Sequence, residues 1–310
     1  MKAARLYGPG DLRIEDVPRP VPGPGEVLVQ VEVALTDGTD LKTYRRGHPV
    51  LLTETPAPFG HELCGVVDGR RVVPANSAPC GVCEGCARGR PCRDLAFLSG
   101  AYAEWIVVPE RIAERNLLDV PLSLAPEVAA MVEPLACCLR GVERAGVQAG
   151  DMVAILGAGP IGLMLAACVA DAGGWPVVVG GRAERRELID VFGAEPGEGQ
   201  GADVVIEAAG TEEAWRDAIE LARPGGTVVL FGGLPRDVQP NVDAYRVHYD
   251  ELTLRGSFHH TPSTVRAALG FLASGAYPWE RLVTHGVLLE DLPKLFADPP
   301  RDFLKAAVTP

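Results

Sequence analysis

No run of apolar residues in this sequence is long enough to cross a bilayer, so a helical membrane span is not expected. The segment from Met1 to Val17 alternates like a strand. It carries neither the apolar stretch nor the cleavage site of an export signal, and a cytoplasmic location is expected. Basic charge is also short, with 29 Lys and Arg against 41 Asp and Glu and a formal net charge of −12. Nucleic acid and anionic membrane both reward a basic patch, so neither is expected as a partner. The chain has no internal repeat and no low-complexity segment. Without an export signal, its eight cysteines read better as metal ligands or buried thiols than as disulfides.

What is present fits a folded protein of two domains, since 310 residues with 47% apolar content supply ample core. To about residue 110 the chain is rich in Val, Gly and Pro. Short alternating runs such as Val27 to Val33 are bounded by turn signals such as Pro22-Gly23-Pro24-Gly25, which predicts a β-rich first domain. After Pro121 the pattern changes, and Glu127 to Ala145 has helical periodicity. Strands are expected at 152–156, 177–179, 204–206, 227–231 and 252–258. Helices are expected at 160–171, 185–192, 212–221 and 263–273. Most of this stretch alternates strand and helix, as in a doubly wound parallel sheet. A mixed tail follows and is expected to return to the first domain.

The first strand of that series runs into Gly157-Ala158-Gly159-Pro160-Ile161-Gly162, a G-x-G-x-x-G that opens a helix. In this setting the first glycine permits a tight turn, the second lets backbone approach a pyrophosphate, and the third lets helix and strand pack closely. The helix N-terminus then offers free N–H groups and a positive dipole end to the phosphates. An acid at the tip of the second strand would bind a ribose 2′-hydroxyl, but Val179 is followed by Gly180-Gly181-Arg182 and then by Arg185. Glycine leaves room for a 2′-phosphate and arginine can bind it, so NADP is expected in preference to NAD, with Arg182 and Arg185 as its readers.

Cys80, Cys83, Cys86 and Cys92 fall within thirteen residues with the spacing C-x2-C-x2-C-x5-C. Four thiolates close a tetrahedral zinc shell, and a closed shell is structural because it leaves no position for substrate. A second constellation is looser. Gly60-His61-Glu62 supplies an imidazole and a carboxylate, and Glu133-Pro134-Leu135-Ala136 supplies another carboxylate at the start of a helix.

In this order, from Asp37-Gly38-Thr39-Asp40 through Gly60-His61-Glu62, the four cysteines, Glu133-Pro134-Leu135-Ala136, the glycine turn, Glu207-Ala208-Ala209-Gly210, Phe231-Gly232-Gly233 and Gly256-Ser257-Phe258-His259, the sequence resembles the medium-chain zinc-dependent alcohol dehydrogenases. The likeness is to their polyol, sugar and threonine dehydrogenase branch. It implies an α/β fold made of a GroES-like β-rich catalytic domain (1–124 and 264–310, bearing the structural zinc lobe) and a Rossmann dinucleotide-binding domain (125–263). The active site is expected in the cleft between them. It further implies hydride transfer between an alcohol, polyol or sugar, or the matching carbonyl compound, and NAD(P). A homodimer or homotetramer is expected on the same ground.

The resemblance also implies a catalytic zinc held by His61 with Glu62 or Glu133, and by the residue at position 37. There the family carries cysteine and this chain carries Asp37. Carboxylate oxygen is an accepted zinc ligand, harder and less electron-donating than thiolate. Thr39 stands where the family places the hydroxyl that relays the alcohol proton. Lys42 stands where a histidine often continues that relay, and is equally readable as a surface lysine. Tyr44, Phe258, His259 and His260 line a pocket or serve packing. Two rival readings remain at this point: a zinc-free NADP-dependent enone or quinone reductase on the same scaffold, and a non-catalytic dinucleotide-binding sensor.

Overall fold

The computed structural model describes residues 1–47 and 54–310. Among these residues no helix is long and apolar enough to cross a membrane. The chain divides into two compact units, Met1–Glu133 with Thr261–Pro310, and Pro134–His260. The first division falls at 133/134, where the sequence reading put it at 124/125. The short helix Pro126–Ala129 packs on the strands Glu62–Val67 and Val27–Leu35 and so belongs with the first unit.

The first unit is built around Val27–Leu35, whose Val29, Val31 and Val33 are buried on the alternation expected of a strand. It pairs antiparallel with Glu62–Val67, with Trp105–Val108 and with the C-terminal strand Lys305–Thr309. In the last pairing Ala307 faces Leu35 and Val308 faces Ala34. The tail therefore returns to this sheet, and one core unites residues from both chain ends: Leu6, Val29, Leu63, Ile112, Leu292, Phe296 and Val308.

The second unit holds a six-stranded parallel sheet in the order Glu195–Gly197, Trp175–Val179, Met152–Leu156, Ala202–Glu207, Ala222–Leu230, Thr253–Gly256. Numbered along the chain this order is 3-2-1-4-5-6, the doubly wound arrangement. Val153, Ala154 and Ile155 are fully buried, as a strand covered on both faces requires. The helix Pro160–Asp171 is buried almost all round, and proline at its first position costs no hydrogen bond. Glu212–Leu221 is amphipathic, with Ala214, Ala218 and Ile219 inward and Thr211 accepting the Ala214 N–H as its cap.

Strand order reverses between Met152–Leu156 and Ala202–Glu207, so the ligand crevice of such a sheet lies beyond Leu156 and Glu207. Elements differ from the sequence reading in several places, among them a helix, Ala244–Tyr249, that it did not expect. The helix expected over 127–145 is two, Pro126–Ala129 and Val132–Ala145. The helix expected from 185 opens as a 3-10 turn, Ala183–Arg185, and continues as Arg186–Val191. The strand Glu195–Gly197 had no apolar signature, because all three residues are exposed on a sheet edge where proline is tolerated.

Candidate functional site

Asp37, His61 and Glu62 come together in the first unit, each offering a ligand atom within 4.8 Å of the others. Asp37 is the N-cap of the helix Gly38–Arg46. Its Oδ2 accepts the Thr39 N–H at 2.8 Å, while Asp40 Oδ2 accepts the Asp37 N–H at 3.3 Å to complete a capping box. The Thr39 hydroxyl also bonds the Asp37 carboxylate. Gly60 places His61 at the start of the strand Glu62–Val67. Its φ is +88°, and a Cβ there would stand 2.6 Å from the Tyr102 ring, so only glycine fits.

His61 is oriented on both sides. Its Nδ1 lies 3.0 Å from Asp40 Oδ1, and Asp40 in turn accepts the Tyr102 hydroxyl. A carboxylate at Nδ1 holds a proton there, so Nε2, which faces Asp37 Oδ2 at 3.7 Å, is the nitrogen that would give up its proton to a metal. Burial opposes a charge on this ring, but the Asp40, Glu133 and Asp37 carboxylates outweigh it and raise its pKa well above the usual imidazole value. Burial likewise opposes the Asp37 carboxylate. The positive Lys305 and His61 and the bonds from Thr39 prevail and bring its pKa down to about 2. The cluster is a carboxylate-rich, imidazole-bearing pocket with an excess of negative charge, a donor set suited to a divalent zinc ion.

Lys305 is one of the residues that sequence reasoning missed. Fully buried, it donates to Glu62 Oε1 at 2.8 Å, to Glu62 Oε2 at 2.7 Å and to the Thr36 carbonyl at 3.0 Å, and it stands 3.8 Å from Asp37 Oδ1. These three bonds use every ammonium proton. Burial disfavours its charge, and the Glu62 and Asp37 carboxylates more than restore it, so its pKa is raised. Glu62 therefore meets the cluster with both oxygens engaged. Glu133 is buried in the same unit, and its charge acts on both His61 and Glu62. The available signal for Lys305 was a lone lysine in the apolar run Leu304 to Val308. Asp40 and Tyr102 were also missed as orienting groups, and nothing local marks Tyr102, 62 residues from its partner.

Lys42 is half-buried one turn beyond the cap. Tyr44 packs edge-on to Phe296 and donates to the Gly10 carbonyl, a packing role. Phe258 is 72% exposed in the second unit and meets His259 edge-on. Burial, and then the neighbouring His259, lower His260 to about 3.

The four lobe cysteines converge. The Sγ–Sγ distances are 3.5 Å for Cys80–Cys92, 3.6 Å for Cys83–Cys86, 3.8 Å for Cys83–Cys92 and 3.9 Å for Cys80–Cys86. Zinc–sulfur bonds of about 2.3 Å in a tetrahedron give edges of about 3.8 Å, so these thiols fit one zinc ion. Backbone N–H groups of Val82 and Cys83 point at the Cys80 sulfur and lower its pKa to about 6, favouring the thiolate.

In the second unit, Gly157 adopts φ +117°, and a Cβ on Gly162 would run into the Gly157 carbonyl oxygen. A Cβ on Gly159 would meet nothing, so the helix N-terminus is open where a pyrophosphate would approach. Pro160 and Ile161 follow as the first helical residues. Gly181, at φ +94°, lies against Ala158. Arg185 reaches back across this contact and donates to the Ala158 carbonyl at 2.8 Å; burial and then the charge of Arg182 lower its pKa. Arg182 itself is exposed at the start of the 3-10 turn.

Comparison with known proteins agrees with this architecture. The family model for the alcohol dehydrogenase GroES-like domain matches residues 23–121, and that for zinc-binding dehydrogenases matches residues 195–274. The chain is 30% identical to D-xylulose reductase A of Aspergillus oryzae over 335 residues, covering 94% of this chain and 91% of that protein. Sorbitol dehydrogenase of Bacillus subtilis is 29% identical, covering 94% of this chain and 91% of its own length. A solved chain assigned as a zinc-binding dehydrogenase of Sinorhizobium meliloti 1021, bound to NADP, is 32% identical with a TM-score of 0.88. That match covers 100% of this chain and 99% of the other. The chain belongs to the zinc-dependent medium-chain dehydrogenase family.

Proposed function

We propose that this protein is a zinc-dependent oxidoreductase that passes a hydride between an alcohol, polyol or sugar and a nicotinamide dinucleotide, with NADP preferred over NAD. The observation that carries the reading is the orientation of His61. Asp40 occupies Nδ1, which leaves Nε2 turned toward Asp37 as a metal ligand requires. The ligand set is Asp37, His61 and Glu133, with Glu62 held by Lys305 rather than by metal. Cys80, Cys83, Cys86 and Cys92 hold a second, structural zinc.

When bound at the first site, zinc supplies the Lewis acidity that lowers the pKa of an alcohol. The chain's own residues orient and move the proton. Thr39, its hydroxyl resting on the Asp37 carboxylate, accepts the hydrogen bond of the substrate hydroxyl and relays its proton outward to solvent, releasing one proton as it takes another. Asp40 and Tyr102 keep His61 in one tautomer throughout. The turn from Gly157 to Gly162 binds the pyrophosphate, and Arg182 binds the 2′-phosphate. The relatives named for xylulose and sorbitol chemistry support a polyhydroxylated substrate over a simple aliphatic one. A cytoplasmic homodimer or homotetramer completes the proposal.

The test is an NADP-coupled screen of polyols, sugars and amino alcohols, with and without added zinc, repeated with NAD and with an enone panel. Zinc-dependent polyol turnover is expected. Turnover of enones without zinc would overturn the reading in favour of a metal-free reductase, and tight NADPH binding with no turnover would favour a sensor.

A further inference from the structure

At the carboxyl end of the strand Ala202–Glu207, beside Leu156 in the register, a glutamate is fully buried. Glu207 Oε1 accepts the Gly210 N–H at 2.6 Å. Its Oε2 accepts the Gly232 N–H at 3.2 Å, a proton shared with the Glu207 backbone carbonyl at 3.0 Å. That carbonyl also takes the Phe231 N–H at 3.1 Å, and Trp215 Nε1 donates to the Gly232 carbonyl at 2.9 Å. The loops after two adjacent strands are thus joined at one carboxylate. They meet without spare room, since a Cβ on Gly232 would stand 2.5 Å from Gly210 Cα and 2.7 Å from Glu207 Oε2.

The joined loops reach the dinucleotide turn. A Cβ on Gly157 would lie 3.4 Å from the Ala209 nitrogen and 3.5 Å from the Ala208 carbonyl carbon, so this loop is the wall against which the first glycine rests. The Ala208 N–H is also bonded to the Leu156 carbonyl, one residue before that glycine, at 3.0 Å. The strand's other inward positions, such as Val205 and Ile206, are apolar, and packing alone would ask the same of position 207. A buried carboxylate is costly unless its oxygens are bonded, and here the bonds go to the backbone of two crevice loops.

We propose that Glu207 is a cofactor-positioning residue. Its carboxylate ties Ala208–Gly210 to Phe231–Gly233 and, through Ala209, sets the backbone of the Gly157 turn on which the pyrophosphate rests. This rests on the dinucleotide reading above. Because Glu207 acts through the turn, it serves both dinucleotides alike and is indifferent to the 2′-phosphate.

The experiment is fluorescence titration of the full-length protein with NADPH and with NADH. Glu207→Gln keeps the shape but turns one acceptor into an N–H donor facing another N–H. Both dinucleotides are expected to bind about tenfold more weakly, the loss of one charge-assisted hydrogen bond. Gly232→Ala, which forces the two loops apart by a different route, is expected to do the same and serves if Glu207→Gln fails to fold. Ile219→Val, in the same unit's core, is the stability control, lowering Tm with unchanged dinucleotide affinity. Affinities of both loop variants within twofold of wild type, or no weaker than Ile219→Val at matched Tm, overturn the proposal. If wild-type protein binds neither dinucleotide, the dinucleotide reading falls and takes the proposal with it. Normal wild-type binding beside unaltered variants removes the proposal alone.

Discussion

Asp37 caps a helix, fixes the Thr39 hydroxyl and faces His61 Nε2, so a cysteine in its place would change more than a metal ligand. Its negative charge is answered by Lys305, one of only four lysines in the chain. The compact ammonium meets three acceptors at once, which the planar guanidinium of arginine does not match in the same space. Lys305→Met leaves the buried Glu62 carboxylate without its partner and is expected to cost about 3–5 kcal/mol, read from denaturant unfolding. Lys305→Arg should recover only part of that loss. Asp37→Ala removes a proposed ligand and leaves the lobe untouched. Zinc measured by atomic emission should fall from about two ions per chain to about one, with loss of alcohol turnover. Full zinc content with intact turnover in that variant would remove Asp37 from the proposed shell.

At the scale of elements, the lobe and the glycine turn were legible for the same reason: their chemistry lies within short stretches of chain. Cys80 to Cys92 and Gly157 to Gly162 each close on themselves; spacing announces the first, and spacing with the strand before it and the helix after it announces the second. The Asp37 cluster draws on residues 37, 61, 62 and 305, and the long-range strand pairing that unites them leaves no local mark. The second strand's loop was half legible. Glycines and arginines were evident, but not that Arg185 is engaged with the Ala158 carbonyl while Arg182 is exposed. The two arginines should therefore separate on mutation. Arg182→Ala is expected to weaken NADP about tenfold and leave NAD unchanged, the signature of a lost phosphate contact. Arg185→Ala loosens the turn itself and should weaken both, and titration with each dinucleotide distinguishes them. Equal losses from Arg182→Ala would show that it does not read the 2′-phosphate.

The molecule as a whole is discontinuous in sequence where the candidate metal site lies and continuous where the dinucleotide turn lies. Residues 134–260 form the parallel sheet from one uninterrupted segment with its own core. The first unit needs both chain ends, because Lys305–Thr309 is the partner of Val27–Leu35 and carries the ammonium that satisfies Glu62. Ending the chain at Asp302 removes that strand and that charge together, and exposes an edge of the first unit's sheet that is otherwise paired. The first unit should then open at lower denaturant than the second, and further below it than in the intact protein. Hydrogen exchange followed by peptide should find protection lost over Val27–Leu35 and Glu62–Val67 and kept over Met152–Leu156 and Ala202–Glu207. NADPH binding should survive the truncation while zinc at the Asp37 cluster is lost. Equal loss of protection in both units would show that the C-terminal strand holds the whole chain rather than its first unit.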